Sequence, residues 1–186
     1  GLNAGQMIAG GLKAAILLNN EPAFDTAAGQ QALQGLNKSE MVVTLSPFKT
    51  NLEISDVLLP IAPFTETSGS FVNAEGRVQS FHAVVKPLAE TRPAWKVLRV
   101  LANLLGVQGV DYESSQDVLA TAIGTGTSEV PANVLSNATQ VAAQVNGGAV
   151  TEPAVASIYQ LDSIVRRATS LQLTADAREA RQGGAA

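Results

Sequence analysis

Three short apolar runs, "AAILL" at 14–18, "MVVTL" at 41–45 and "VLLPI" at 57–61, constrain the fold of this chain more than any other feature. Unbroken apolarity over five residues, bounded by turn-forming residues, predicts strands covered on both faces, as in a parallel sheet. Between the first two runs lies "DTAAGQQALQGL". There Asp25 is placed to cap a helix with Ala28, Ala32, Leu33 and Leu36 on one side. Gly29 and Gly35 weaken that helix by about 1 kcal/mol each relative to alanine. Strand, helix and strand make one βαβ unit, and the second connection, "SPFKTNLEISD", has room for little more than a helical turn. The expected class is α/β: a partial Rossmann-like open sheet of about three parallel strands, a β-hairpin, and carboxyl-terminal helices.

Four regions follow from the pattern. Residues 1–64 hold the partial sheet, and residues 65–110 hold a hairpin and an amphipathic helix. In "TETSGSFVNAEGRVQSF" (65–81) two short strands flank a turn, with Gly76 available for a positive φ. Pro93 then opens a helix with Trp95, Leu98, Leu101, Ala102 and Leu105 on its apolar stripe; Lys96, Arg99 and Asn103 lie opposite, and Gly106 ends it. Residues 111–157 are rich in Ala, Gly and Ser, and predict irregular, mobile helices. Ser114 or Ser115 would cap one through Ala122, and Pro131 would open another through about Ala143. In residues 158–186 a stripe of Leu161, Ile164, Val165, Ala168 and Leu171 predicts a helix with Arg166 and Arg167 on its other side. After Ala175 the pattern fades into a disordered end.

Composition excludes several classes of function. The net charge is −4 and there is no basic run, so nothing is placed to meet nucleic-acid phosphates. With no cysteine and one histidine, His82, these residues alone can hold neither an iron–sulfur cluster nor a structural zinc ion. The uncharged window from Val130 to Thr151 contains Pro131 and several amides, too costly to place in hydrocarbon, so no membrane span is expected. The start has neither the flanks of a signal peptide nor an initiator Met, which reads as a piece of a longer chain. Charged residues are only 15% of the total, which suggests a surface that another body covers.

No catalytic set emerges. His82 lacks a nucleophile elbow, the pairs Glu53/Asp56 and Glu66/Glu75 read as solvated faces, and "GTGTSE" (124–129) does not follow a strand as a phosphate loop would. Open α/β sheets receive ligands at the carboxyl ends of their strands. Asn19, Asn20 and Glu21 follow the first strand, and Ser46 and Pro47 the second. Glu66, Gly69, Asn73, Glu75, Arg77 and Gln79 could join them around one groove. The alternative is structural: the glycines shape the turn, Phe71 and Phe81 pack on the core, and Glu75 and Arg77 face solvent.

The block "SDVLLPIAPFTETSGSFVNAEGRVQSF" resembles the signature of the molybdopterin oxidoreductases. In that family an A-D-V-V-L-P strand leads into E-x-x-G-T-F-x-N-x-E-G-R-x-Q. Asp56, Val57, Leu59, Pro60, Glu66, Gly69, Phe71, Asn73, Glu75, Gly76, Arg77 and Gln79 match, while Ser55, Leu58 and Ser70 depart mildly. The segments "VVKPLAETRPAWKVLRVLANLLG" and "IYQLDSIVRRATSLQLT" are similar to the G-subunit family of bacterial respiratory NADH:quinone oxidoreductase, complex I.

That resemblance implies a non-catalytic structural region of a peripheral subunit on the cytoplasmic side of the inner membrane, with sister subunits as partners. Its iron–sulfur clusters would lie upstream, none being held here, and the six groove residues would be vestiges of a pterin site. An open sheet edge would favour self-association of the piece. The alternative implied is the cofactor-binding region of a working molybdopterin enzyme of the formate or nitrate type.

Overall fold

A computed structural model of the chain describes residues 1–9, 11–124 and 157–183. The helix expected from Pro131, and the uncharged window from Val130 to Thr151 that contains it, lie outside the described residues. The described residues form two compact units. The first comprises 1–44, 50–57 and 157–183; the second comprises 45–49 and 58–124.

The apolar runs become strands β1 (Ala14–Leu18), β2 (Met41–Ser46) and β3 (Val57–Pro60), in the order β1-β2-β3 in one parallel sheet. β2 is the covered strand, with Val42, Thr44, Leu45 and Ser46 buried. β1 is covered on one face only: Ala15 and Leu17 pack inward, while Ile16 and Leu18 remain exposed. The expectation of two covered faces therefore fails for β1, which lies at the sheet's edge.

In the first unit, Leu36, Val42 and Ile54 form the buried cluster, with Ala15, Leu17 and Leu33 against it. Each large side chain so buried contributes about 2 kcal/mol of transfer free energy. The β1–β2 connection is two helices, α2 (Pro22–Asp25) and α3 (Gly29–Leu36), after a short α1 (Ala4–Ile8). Asp25 caps neither: it ends α2, and its Oδ2 accepts the Glu21 N–H at 2.7 Å. Gly29 has a packing reason, because a Cβ there would lie 2.4 Å from the Ala23 carbonyl oxygen. The β2–β3 connection contains no helix; Asp56 Oδ2 instead accepts the Val42 N–H at 2.7 Å, tying the loop to the strand.

The tail departs most from expectation. The apolar stripe predicts one helix, but the backbone leaves the helical region at Ala168, separating α6 (Ser163–Arg167) from α7 (Thr169–Gln172). A further helix, α8 (Ala175–Gly183), occupies the stretch expected to be disordered, and its Ala177 is buried.

In the second unit, β4 (Gly69–Val72) and β5 (Val78–Phe81) pair antiparallel with Gly69 opposite Phe81 and Val72 opposite Val78. Helix α4 (Ala94–Leu104) follows Pro93 and ends before Gly106, whose φ is +74°. Helix α5 (Ser115–Ile123) begins with the expected Ser114 cap: the Ser114 hydroxyl accepts the Asp117 N–H, and the Asp117 carboxylate accepts the Ser114 N–H. No described helix is long and apolar enough to cross a membrane.

Candidate functional site

Of the expected groove residues, Asn73 serves the hairpin itself. Asn73 Oδ1 accepts the Glu75 and Arg77 N–H groups at 3.0 and 2.8 Å, while its carbonyl accepts the Gly76 N–H at 3.0 Å. The five-residue connection 73–77 closes through Gly76 at φ +82°, a region that favours glycine. Glu66 Oε2 accepts the Leu88 N–H at 2.9 Å, pinning the strand exit to the base of the hairpin. A Cβ on Gly69 would stand 2.6 Å from Phe81 Cζ, so the missing side chain is filled by its cross-strand neighbour's ring. That ring stacks on Phe71 at 5.4 Å between centroids, and Phe71 stays 66% exposed, so the aromatic pair packs on itself and not on the core. Glu75 and Gln79 are exposed, as is Arg77.

A pterin dinucleotide is the group implied by the signature, and these residues do not cradle one. Two of the six, Asn73 and Glu66, each have a side-chain oxygen engaged, and a third is a packing void already filled. The cavity beside the strands, lined by Ser68, Ser80, His82 and Gln116 among others, is only ≈ 60 Å³. Ligand pockets span roughly 300–1,000 Å³. A wider hollow of ≈ 480 Å³ opens by Glu66, with Lys86, Arg92, Lys96 and Trp95 around it. Such a set can receive an anion, though its three cations stand in solvent. Sequence reading passed over it because Lys96 looked like the solvent face of α4. The Lys86–Pro87 and Arg92–Pro93 pairs, each cation on backbone restricted by the following proline, were the available signal.

The polar constellation with real burial lies in the first unit, after β1 and β2. Asn51, at φ +56°, donates from Nδ2 to the Asn20 carbonyl at 2.9 Å. Thr50 donates to Glu21 Oε2 at 3.0 Å. Arg167 grips the same carboxylate with both terminal nitrogens, Nη1 to Oε1 at 2.8 Å and Nη2 to Oε2 at 3.1 Å. Arg166 Nη2 lies 3.3 Å from Glu21 Oε1, and its Nη1 bonds Asp25 Oδ1 at 3.0 Å. Its guanidinium also sits over the Phe24 ring, 4.8 Å from the centroid. Burial pushes the Glu21 carboxyl up, but the Arg167 and Thr50 hydrogen bonds and the charges of both arginines outweigh it, holding the group below the usual glutamate value. Asn20 and Glu21 thus follow a strand as expected, but Arg166, expected only to lie opposite the apolar stripe, is buried. Its partners are about 140 positions away in sequence, beyond the reach of any helical-face argument.

The sequence profile of the molybdopterin oxidoreductases matches residues 2–104, more than half of the chain. The chain belongs to this family. Among its relatives, "Probable oxidoreductase YjgC" of Bacillus subtilis (strain 168) is 40% identical over 70 residues, 38% of this chain and 7% of that protein. A "Putative formate dehydrogenase" of Staphylococcus aureus (strain bovine RF122 / ET3-1) is 44% identical over 52 residues, 28% of this chain and 5% of that protein. Its counterpart in S. aureus strain USA300 is 36% identical over 70 residues, 37% of this chain and 7% of its own length. The chain therefore spans less than a tenth of the curated relatives it matches. These names back the molybdopterin-enzyme alternative better than the complex I expectation.

Proposed function

We propose that this chain is a structural, non-catalytic region of a larger oxidoreductase subunit of the molybdopterin family. The observation that carries the reading is the hairpin: Asn73 closes its own loop and Glu66 holds Leu88, so conserving their shape needs no ligand. Helix α4 supports a scaffold role, since Val100, Leu104 and Leu105 are 57%, 81% and 70% exposed. An apolar face of that kind is suited to cover by another protein surface.

For the parent, the relatives named as formate dehydrogenases favour a molybdopterin-dependent enzyme acting on formate. A second reading is the G subunit of a bacterial NADH:quinone oxidoreductase, peripheral on the cytoplasmic side of the inner membrane. There it would contact sister subunits and have iron–sulfur clusters upstream. Its specific support is the tail "IYQLDSIVRRATSLQLT", which resembles that family, lies beyond the profile match and packs through Arg166 and Arg167.

A native gel of solubilised membranes and of soluble extract, probed with antibody to this chain, separates the parents. Signal in a very large membrane band that stains for NADH dehydrogenase selects the second reading. Signal in a band that oxidises formate selects the first. For the scaffold role, Arg77→Ala with Gln79→Ala in the parent should leave its kcat within about threefold of wild type, because neither side chain would touch reacting atoms. A loss of a hundredfold or more would sink it.

A further inference from the structure

The loops after β1 and β2 lie where an open α/β sheet receives its ligands, and in this chain they are already occupied. Both oxygens of Glu21 are taken, Oε1 by Arg167 and Arg166, Oε2 by Arg167 and Thr50. The Glu21 and Arg166 side chains are only 7% and 5% exposed. The segment that brings the arginines is itself braced: Asp162 Oδ1 accepts the Ile164 and Val165 N–H groups, and buried Gln172 donates to the Tyr159 and Val165 carbonyls.

We propose that the segment Ser163–Gln172 is an internal plug for the carboxyl end of this sheet, with the guanidiniums of Arg166 and Arg167 standing where a ligand's charged group would sit. The charges decide what the closed and open forms can take. Closed, Glu21 and Asp25 are matched by Arg166 and Arg167, and the Asn20, Thr50 and Asn51 groups are engaged. Open, two carboxylates four residues apart face the loops, so this end would receive a cation, above all a second guanidinium, and would repel an anionic cofactor.

The contact is also not tuned for stability alone. Arg166 Nε has no hydrogen-bond partner among the described residues and Nη2 has only the 3.3 Å ion pair to Glu21 Oε1, and buried donors so poorly satisfied are costly. A plug of this construction can be withdrawn. The inference does not depend on which parent the chain comes from.

Hydrogen exchange on the 186-residue chain tests it, comparing Glu21→Gln, Arg167→Gln and the double variant. Each single change should speed exchange about tenfold or more in residues 163–172 and also in the loops at 19–21 and 50–51. The double variant should be no worse than the worse single, since both remove one interaction. The amides of Val42–Leu45 in β2 report whether the fold survives. If Glu21→Gln loses the fold, Arg167→Lys carries the same comparison, because it keeps the charge and loses the fork. Faster exchange in the segment with unchanged loops would overturn the plug, as would independent, additive effects of the two single changes.

Discussion

The two units treat similar material in opposite ways. In the first, Leu36, Val42 and Ile54 close a buried cluster within the chain although Ile16 and Leu18 stay exposed, and even charged side chains are buried against one another. In the second, the best amphipathic helix of the sequence, α4, has no fully buried residue, and an apolar hollow of ≈ 550 Å³ runs along Val97, Val100, Leu101 and Leu104. Amphipathicity announces that a face will be covered; it does not say by what. The first unit supplies the cover from its own chain, whereas α4 presents a face suited to a neighbour.

The strongest way to break this contrast is to attack the self-sufficient core. Leu36→Ala should cost about 3 kcal/mol in denaturant unfolding, the usual range for an aliphatic side chain cut from a packed site. A cost below about 1 kcal/mol would mean that the first unit is no better filled than the second.

Acid probes the charged part of the same unit. Glu21 is held below its ordinary value, so its folded form is favoured while it is ionised. The stabilisation is full above the ordinary glutamate value and is lost as pH falls from there through the lowered folded value. Asp25, Arg166 and Arg167 are the charged groups around it. The tail should loosen in that acid window, read by hydrogen exchange, while Glu21→Gln should flatten the response. An unchanged profile in the variant would remove Glu21 as the cause.

Within the second unit the hairpin should respond modestly. Gly69→Ala puts a methyl into the Phe81 ring and should cost about 1–2 kcal/mol. Phe81→Leu in the same background should restore part of that loss. The smallest effect is the most telling one. Leu104→Ser should change the stability of the isolated chain by less than about 0.5 kcal/mol, yet weaken its co-purification with the rest of its parent. If stability falls as far as for Leu36, α4 is covered after all and the contrast collapses.

The elements that could be read from sequence were those with local causes. Five-residue apolar runs located the three strands, Gly76 and Gly106 marked positive φ, and Ser114 marked a cap. What escaped depended on distant partners or on offsetting local terms. The burial of Arg166 was not legible because its counterions are at the other end of the chain. Asp25 looked like a cap because nothing local reveals that α2 precedes it. The α8 segment, "ADAREARQG", carries little apolar signal, and its contact is made by the small side chain of Ala177. The site was half legible: Glu21 and Asn20 stand where strand-end logic places them, whereas Asn73 spends its side-chain oxygen on its own loop and Glu75, Arg77 and Gln79 are exposed.

Position 29 carries a consequence for variation. With the Ala23 carbonyl oxygen 2.4 Å from where a Cβ would stand, the corner between α2 and α3 admits one residue type unless backbone moves. The two helices can be recoloured freely on their outer sides, but the angle between them is tied to that single letter. Any homologue with another residue at this position must have moved the backbone at Ala23 or at the start of α3, two and four residues from Asp25, whose carboxylate meets Arg166.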